Sequence, residues 1–307
     1  MPLPQIFQGR LQVPAIAAPM FLVSGPDLVV ETCRAGMVGT FPALNARTTA
    51  GYEEWLADIK GRLAGTDAAP YGVNLIVHKT NERLQADLAA TVRHKVPLVI
   101  TSLGAVADLV QAVHSYGGLV FHDVISVRHA QKAIEAGVDG VIAVAAGAGG
   151  HAGTLSPFAL VSEIRQIFDG AIILSGAMST GAHIAAARAM GADLAYLGTR
   201  FIATRESMAQ PEYKQMLTRN AAAGIIYTPA ISGVNANFMR ESIQAAGLDP
   251  DNLTSHGKMD MGSEAKVWKN IWSAGHGVGS IADIPSTAEL VARLKKEYAE
   301  ARAALDF

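Results

Sequence analysis

Short, almost wholly apolar runs recur along the chain, each entered from a small-residue turn and separated from the next by an amphipathic stretch. Ala35-Gly36-Met37-Val38-Gly39-Thr40-Phe41 shows the pattern, as does Tyr116-Gly117-Gly118-Leu119-Val120-Phe121. It returns at Ala136-Gly137-Val138-Asp139-Gly140-Val141-Ile142 and at Met190-Gly191-Ala192-Asp193-Leu194-Ala195-Tyr196-Leu197. Glycine there suits a helix that ends in a left-handed residue. A strand without polar alternation suits a parallel sheet covered on both faces. Eight strands are predicted, at 15–18, 38–41, 71–75, 98–101, 119–122, 140–144, 171–175 and 194–198. Helical periodicity separates most of them. Eight βα units predict a closed (β/α)8 TIM barrel in the α/β class, with a doubly wound open sheet as the alternative.

Helix starts are marked by Ser24-Gly25-Pro26-Asp27, by Ser156-Pro157, and by the capping box Ser286-Thr287-Ala288-Glu289. After Gly198 the rhythm breaks. Residues 205–285 hold helical pieces and Gly/Pro turns but predict no strand, so they read as an insertion or lid covering the active site. The barrel then comprises 1–204 and 286–307. Trp268 and Trp272, four apart, predict a packed helix face inside the insertion. A closing helix carries Leu290, Val291, Leu294, Tyr298 and Ala301 on one face, which predicts packing on the barrel exterior.

A length of 307 residues fits one barrel with an insertion. Half the residues are apolar and 17% are charged, enough for a large core. The net charge of −2 argues against nucleic acid as a partner. The single cysteine, Cys33, cannot form an internal disulfide and sits in an apolar helical pattern, so it reads as core filler. The N-terminal residues lack the basic and apolar regions of a signal peptide, and no uncharged apolar run reaches membrane-spanning length. A soluble cytoplasmic protein, monomer or homodimer, is expected. His78, His94, His114, His129, His183 and His256 lack metal-ligand spacing, so no metal is expected. No glycine-rich stretch follows the dinucleotide fingerprint.

The richest candidate chemistry lies in Gly147-Ala148-Gly149-Gly150-His151-Ala152-Gly153, after the sixth strand. Its glycines and alanines let a ligand approach the backbone closely. His151 is the one side chain there able to move a proton near neutral pH. A flexible loop with an incidental surface histidine is the bland alternative. In a barrel, function gathers at the C-terminal ends of the strands. Those ends supply Pro19-Met20, Asn74, Ser102, His122-Asp123, Gly149-Gly150-His151, Ser175-Gly176 and Gly198-Thr199. The last two pairs follow the seventh and eighth strands, where barrels often bind phosphate through loop amides. Tight turns without a ligand are the alternative for either loop alone.

Along nearly its whole length the chain resembles the nitronate monooxygenases, formerly called 2-nitropropane dioxygenases. The resemblance is carried by Ala17-Ala18-Pro19-Met20, Tyr71-Gly72-Val73-Asn74, the loop ending His151-Ala152-Gly153, and Leu174-Ser175-Gly176. It continues through Met190-Gly191-Ala192-Asp193 to Leu197-Gly198-Thr199-Arg200-Phe201, and at Ser273-Ala274-Gly275-His276-Gly277-Val278-Gly279. It implies FMN as cofactor, and oxidation of alkyl nitronates, with nitroalkanes as an alternative, by O2 to a carbonyl compound and nitrite. The backbone at Ala18-Pro19-Met20 is then expected against the flavin ring and Asn74 at its polar edge. Ser102, Asp123, Gly149 and Gly150 join the cofactor set, and Ser175-Gly176 and Gly198-Thr199 hold the phosphate. His151 takes the place of the catalytic base. Histidine suits that task because its ordinary pKa of about 6.5 is close to working pH. As imidazolium it could instead stabilise an anion. Tyr227, Asn235 and His276 are the polar candidates for meeting substrate from the insertion.

Two positions depart from the family pattern. Asp123 stands where many relatives carry lysine, putting a carboxylate near the flavin where a cation is usual. His276 stands where relatives often have glutamine, and reads either as a second polar group over the flavin or as an exposed lid residue, the latter preferred. Two other functions remain open. One is an NAD(P)H-dependent flavin oxidoreductase resembling a quinone reductase or enoyl-acyl-carrier-protein reductase. The other is a flavin- or nucleotide-binding protein without catalysis. A nucleotide dehydrogenase on this barrel would need a loop cysteine, and Cys33 falls early, in a helix.

Overall fold

The computed structural model describes residues 3–104, 107–253 and 269–305. Six strands come first: Ala15–Ala17 (β1), Val38–Pro42 (β2), Tyr71–Ile76 (β3), Leu98–Ser102 (β4), Leu119–Val124 (β5) and Gly140–Val144 (β6). Gly150–His151 (β7) lies apart; Ala171–Ser175 (β8) and Leu194–Leu197 (β9) follow. All but β7 pair in parallel, and β9 closes onto β1. The chain is a (β/α)8 TIM barrel rather than an open sheet. Each predicted strand is present to within two residues at either end.

Outside the strands run Pro26–Arg34 (α1), Thr49–Leu63 (α2), Leu84–His94 (α3), Ala107–His114 (α4), Val127–Glu135 (α5), Pro157–Arg165 (α6) and Gly181–Ala189 (α7). Strand alternation sorts the apolar residues into two layers. Ile16, Val38, Ile100, Phe121, Ile142 and Ile173 fill the barrel interior. Phe7, on the turn Gln5–Phe7, joins them with its ring 6.1 Å from that of Phe121. Val73, Leu75, Val99, Val120, Val141 and Ile172 face outward under the helices. Cys33 on α1 is buried in that outer layer, and burial pushes its thiol up to about 12.

The repeated Gly-x-Asp turns have a structural reason. Asp139, before β6, accepts the Val120 N–H at 2.8 Å. Asp193, before β9, accepts the Ile172 N–H at 2.9 Å and Arg165 at 2.6 Å. Each carboxylate thus clips the start of the neighbouring strand. The capping box forms as expected: Ser286 N–H donates to Glu289 at 2.8 Å and Glu289 N–H donates to Ser286 Oγ at 3.3 Å. Ser24 does not cap α1, because Gly25 occupies the cap; its hydroxyl instead accepts the Met20 N–H at 3.0 Å.

After β9 come Thr199–Ile202 (α8) and Pro211–Arg219 (α9), then Ile225–Thr228 (β10), Ala236–Met239 (β11), Arg240–Ala245 (α10) and the closing helix Thr287–Leu305 (α11). The expectation that this stretch holds no strand is corrected. β10 and β11 pair antiparallel, and β11 also pairs with β7. Four-residue strands are too short to display alternation, and Pro229 and Gly233 between them read as a break. Trp268 and His256 lie outside the described residues. Trp272 stacks on Tyr213, with ring centroids 5.0 Å apart and planes at 7°. Among the described residues no helix is long and apolar enough to cross a membrane.

Leu290, Val291 and Leu294 of α11 are buried where the helix crosses α7. Gly181 makes that crossing possible: a Cβ there would stand 2.3 Å from both Leu294 O and Tyr298 N. Both contacts are backbone, so neither side can yield cheaply. Gly181→Ala is expected to lower stability by about 3 kcal/mol, the upper range for overpacking, read as a lower Tm and denaturation midpoint.

Candidate active site

The C-terminal ends of the barrel strands open into a cleft whose empty space, mouth included, is about 1490 Å³. Inward-facing positions one layer above the aliphatic interior are polar: Asn74, Ser102, Asp123, Ser175 and Tyr196 all line it. The same alternation that buries Ile100 and Phe121 therefore aims Ser102 and Asp123 at the cleft, two residues further on. Pro19, Met20 and Phe21 enter after β1, on a loop pinned by Asn45, which donates to the Met20 and Ser24 carbonyls at 3.0 and 2.8 Å.

Three loops meet over the other side of the mouth through backbone contact. The Gly147 carbonyl accepts the N–H of Ala177 at 3.2 Å and that of His276 at 2.9 Å. Gly275 N–H donates to Thr199 Oγ1 at 2.9 Å. A Cβ on Gly149 would lie 2.9 Å from Gly275 N, and one on Gly275 would lie 2.6 Å from Gly147 O. Glycine is needed here for approach. At Gly176 it is needed for conformation as well, since φ is +141° and a Cβ would lie 2.9 Å from Ala146 O.

His151 stands on β7, opposite Ala236 of β11. Asn237 donates to the Ala148 carbonyl at 2.6 Å, and the Tyr227 hydroxyl donates to the Ala152 carbonyl at 2.9 Å. The hairpin thus fixes the glycine-rich loop on both sides of His151.

Asp123 accepts the Ser102 hydroxyl at 2.6 Å on Oδ2, and Ser102 in turn accepts Asn74 Nδ2 at 2.8 Å. Oδ1 of Asp123 is buried and has no hydrogen-bond partner among the described residues. Desolvation raises its carboxyl from 3.8 to about 6, opposed by the Ser102 hydrogen bond and by His151. Burial, and then the Asp123 charge, push Tyr196 well above its ordinary value. His122, the next residue back, turns away from the cleft: its Nδ1 pairs with Thr101 Oγ1 at 2.7 Å, and burial lowers it to about 4.

Ala18, Pro19, Met20, Asn74, Ser102, Asp123, Gly149, Gly150, His151, Ser175, Gly176, Gly198 and Thr199 all line this one cleft. Tyr227, Asn235 and His276 do not line it. Each is exposed, and each meets the backbone of the glycine-rich loop: the Tyr227 hydroxyl donates to Ala152 O, Asn235 O accepts the Ala152 N–H, and the His276 N–H donates to Gly147 O. From the same stretch of chain Tyr213, Trp272, Ser273, Gly275 and Gly277 line the cleft instead. The Gly275-x-Gly277 spacing carried a signal for close approach; Tyr213 and Trp272 gave none beyond apolar helical pattern. Among the described residues no group of acidic, histidine or cysteine side chains could hold a metal. No lysine or arginine is among the described residues lining the cleft.

A sequence profile of nitronate monooxygenase matches residues 6–297. The nitronate monooxygenase of Paraburkholderia phytofirmans is 28% identical, with 92% of each chain covered. The nitroalkane oxidase structure from Streptomyces ansochromogenes superposes with a TM-score of 0.81 at 26% identity, over 98% of this chain and 100% of that one. FabK from Thermotoga maritima superposes with a TM-score of 0.80 at 23% identity, over 96% of this chain and 95% of that one, a likeness of fold alone.

Asp123 makes stability depend on pH. Its folded pKa is raised, so the ionised form is penalised in the native state. The associated stability is complete below the unfolded value of 3.8 and is lost as pH rises through about 6. Asp123→Asn keeps the shape without the charge. Well above that range it should be more stable than the parent by roughly 1–3 kcal/mol, an upper bracket from a shift of about two pKa units. At acid pH the difference should vanish. Melting temperatures of the two proteins across pH check this.

Proposed function

The chain belongs to the nitronate monooxygenase family, and on that footing we propose an FMN-dependent enzyme that oxidises alkyl nitronates with O2 to a carbonyl compound and nitrite. Neutral nitroalkanes are the secondary substrates. The observation that carries the proposal is the convergence of His151, the polar strand-end layer and two glycine loops on one cleft. The cytoplasm is the proposed compartment.

The residues present fit FMN at both ends. At one end Ser175-Gly176-Ala177 and Gly198-Thr199 form a cradle of small residues without a carboxylate. Gly176 admits no side chain, since a Cβ would stand 2.9 Å from Ala146 O, so the loop keeps its backbone bare there; Ser179 Oγ, in the same loop, is buried with no hydrogen-bond partner among the described residues. Phosphate would be held there, by backbone N–H groups and hydroxyls. At the other end Pro19-Met20, Asn74 and Ser102 offer apolar backbone and polar contacts for the ring. Bound flavin would supply acceptance of electrons from the substrate carbon and their delivery to O2.

The chain's own part is positional and protonic. His151 is assigned the role of base, taking the carbon-bound proton of a neutral nitroalkane. Its strand pairing with β11 holds the imidazole carrier still while that proton moves. The segment from 205 to 285 is assigned the role of lid: Tyr213 and Trp272 form an apolar wall that excludes water from the reacting carbon. Tyr227 and Asn237 act as positioning residues for the loop that bears His151.

Purified protein should be yellow and release FMN rather than FAD, because the cleft offers one phosphate cradle. Gly176→Leu should lose the flavin while remaining folded by circular dichroism; a flavin-replete variant would move the phosphate elsewhere. Under anaerobic stopped flow, 2-nitropropane nitronate should bleach the flavin much faster than NADH or NADPH does. The reverse order would make the enzyme a pyridine-nucleotide-dependent flavin reductase. His151→Asn should keep its FMN and lose about 10²–10⁴-fold activity with neutral nitroalkanes, the span typical of a general base. Pre-formed nitronates, already deprotonated, should lose far less. Equal losses with both substrate forms would assign His151 to electrostatic stabilisation instead.

A further inference from the structure

The two oxygens of Asp123 have unequal surroundings. Oδ2 accepts the Ser102 hydroxyl, which is itself held by Asn74, so that oxygen already has a fixed donor. Oδ1 is buried, carries no hydrogen bond among the described residues, and belongs to a side chain that lines the cleft. A buried carboxylate oxygen without a donor is a costly group unless something else completes it. The surrounding charge offers little help. No lysine or arginine is among the described residues lining the cleft, so an incoming anion meets the Asp123 carboxylate with few compensating cations. Among the described residues, the titratable side chains facing Asp123 are His151 on β7 and Tyr196 on β9. β4 contributes Ser102 and β6 contributes Val144, both uncharged; on β5 itself His122 faces outward.

We propose that Asp123 is a specificity-determining residue that admits an anionic substrate together with one proton and, protonated on Oδ1, donates a hydrogen bond to the substrate's oxygen. The step balances simply: solvent supplies one proton, the carboxylate becomes a carboxylic acid, and its O–H points to the nitro-group oxygen of the bound nitronate. No electron moves. Ser102 selects the oxygen that takes the proton, because its own hydroxyl already occupies Oδ2. A neutral nitroalkane needs no such proton, so the residue couples substrate charge to pH. The inference rests on the flavin–nitronate reading of the cleft.

Nitrate is a suitable probe: it is planar, presents the same pair of oxygens on nitrogen, and stays ionised throughout. Its binding to the yellow holoenzyme is followed by the shift of the flavin spectrum, and proton uptake by a pH indicator in weak buffer. Above the Asp123 pKa of about 6, nitrate affinity should fall about tenfold per pH unit, with close to one proton taken up per ion bound. Nitromethane, which is neutral there, should bind without either effect. Asp123→Asn should bind nitrate with a flat pH profile and no uptake. His151→Asn should keep both the slope and the proton. Ser102→Ala removes a hydrogen bond that lowers the Asp123 pKa, so its break point should move to higher pH. Failure of nitrate to bind, absence of proton uptake, or uptake that survives in Asp123→Asn and disappears in His151→Asn would each overturn the assignment. None of these measurements needs turnover. A protein that takes up the proton and yet leaves nitronates unoxidised keeps the role of Asp123 and loses the proposed function, whereas the opposite result does the reverse.

Discussion

The contact on which the rest of the site depends is the meeting of three backbones at Gly147, Gly149 and Gly275. One carbonyl, that of Gly147, accepts two N–H groups, from the loop after β8 and from the segment that begins at Ser273. With 2.9 Å between a Gly149 Cβ position and Gly275 N, no other residue type fits without moving a main chain. This closure fixes the wall of the cleft opposite β1–β5. It also explains how a loop with almost no side chains holds a definite shape. Its order comes from partners in two other segments and from the hairpin β10–β11, with little from its own packing. A single position can therefore disturb three loops together, and coupling between substitutions at these glycines is the natural expectation.

The barrel was legible because burial on both faces leaves a strong, local signal: an apolar run bounded by a small-residue turn. The strand ends at Asn74, Ser102, Asp123 and Ser175 were legible for the same reason, since polarity at the end of an apolar run stands out and strand alternation sends it inward. The hairpin was not legible. Ile225–Thr228 and Ala236–Met239 owe their strand state to pairing with each other and, for β11, with a glycine-histidine edge some 85 residues earlier (Ala236 opposite His151). No local pattern records such a partner. Tyr227 and Asn235 drew attention as polar groups in an insertion near the active face, and the structure uses them on the far side of the loop, as its supports. Proximity along the chain to an active end says nothing about which side of a loop a residue will face.

The carboxylates also divide by what surrounds them. Asp139 and Asp193 each accept a backbone N–H and a basic side chain, so both read as structural clips. Asp123 accepts one neutral hydroxyl and is left with an empty oxygen. The sequence makes the three look alike, each an acid beside an apolar strand. What separates them is position along the strand: an acid before a strand finds backbone donors of the neighbouring strand, whereas an acid at the C-terminal end finds the cleft. The raised carboxyl of Asp123 follows from that placement.

The same logic bears on how anions are received here. With no lysine or arginine among the described residues lining the cleft, negative charge must be met by backbone N–H groups at one end and by groups that can exchange a proton at the other. The first arrangement suits a permanent anion such as a phosphate, because amides neither titrate nor need to be desolvated afresh. The second suits a substrate whose charge changes during the reaction, as when a nitroalkane becomes a nitronate. His151 and Asp123 lie close enough for the charge of one to shift the carboxyl of the other. A positive charge on His151 therefore opposes the desolvation that raises the Asp123 carboxyl, though it is a smaller influence than the Ser102 hydroxyl. Substituting lysine at 123 would fix a positive charge where this chain keeps an exchangeable one, so the departure at that position changes the kind of electrostatics as well as its sign.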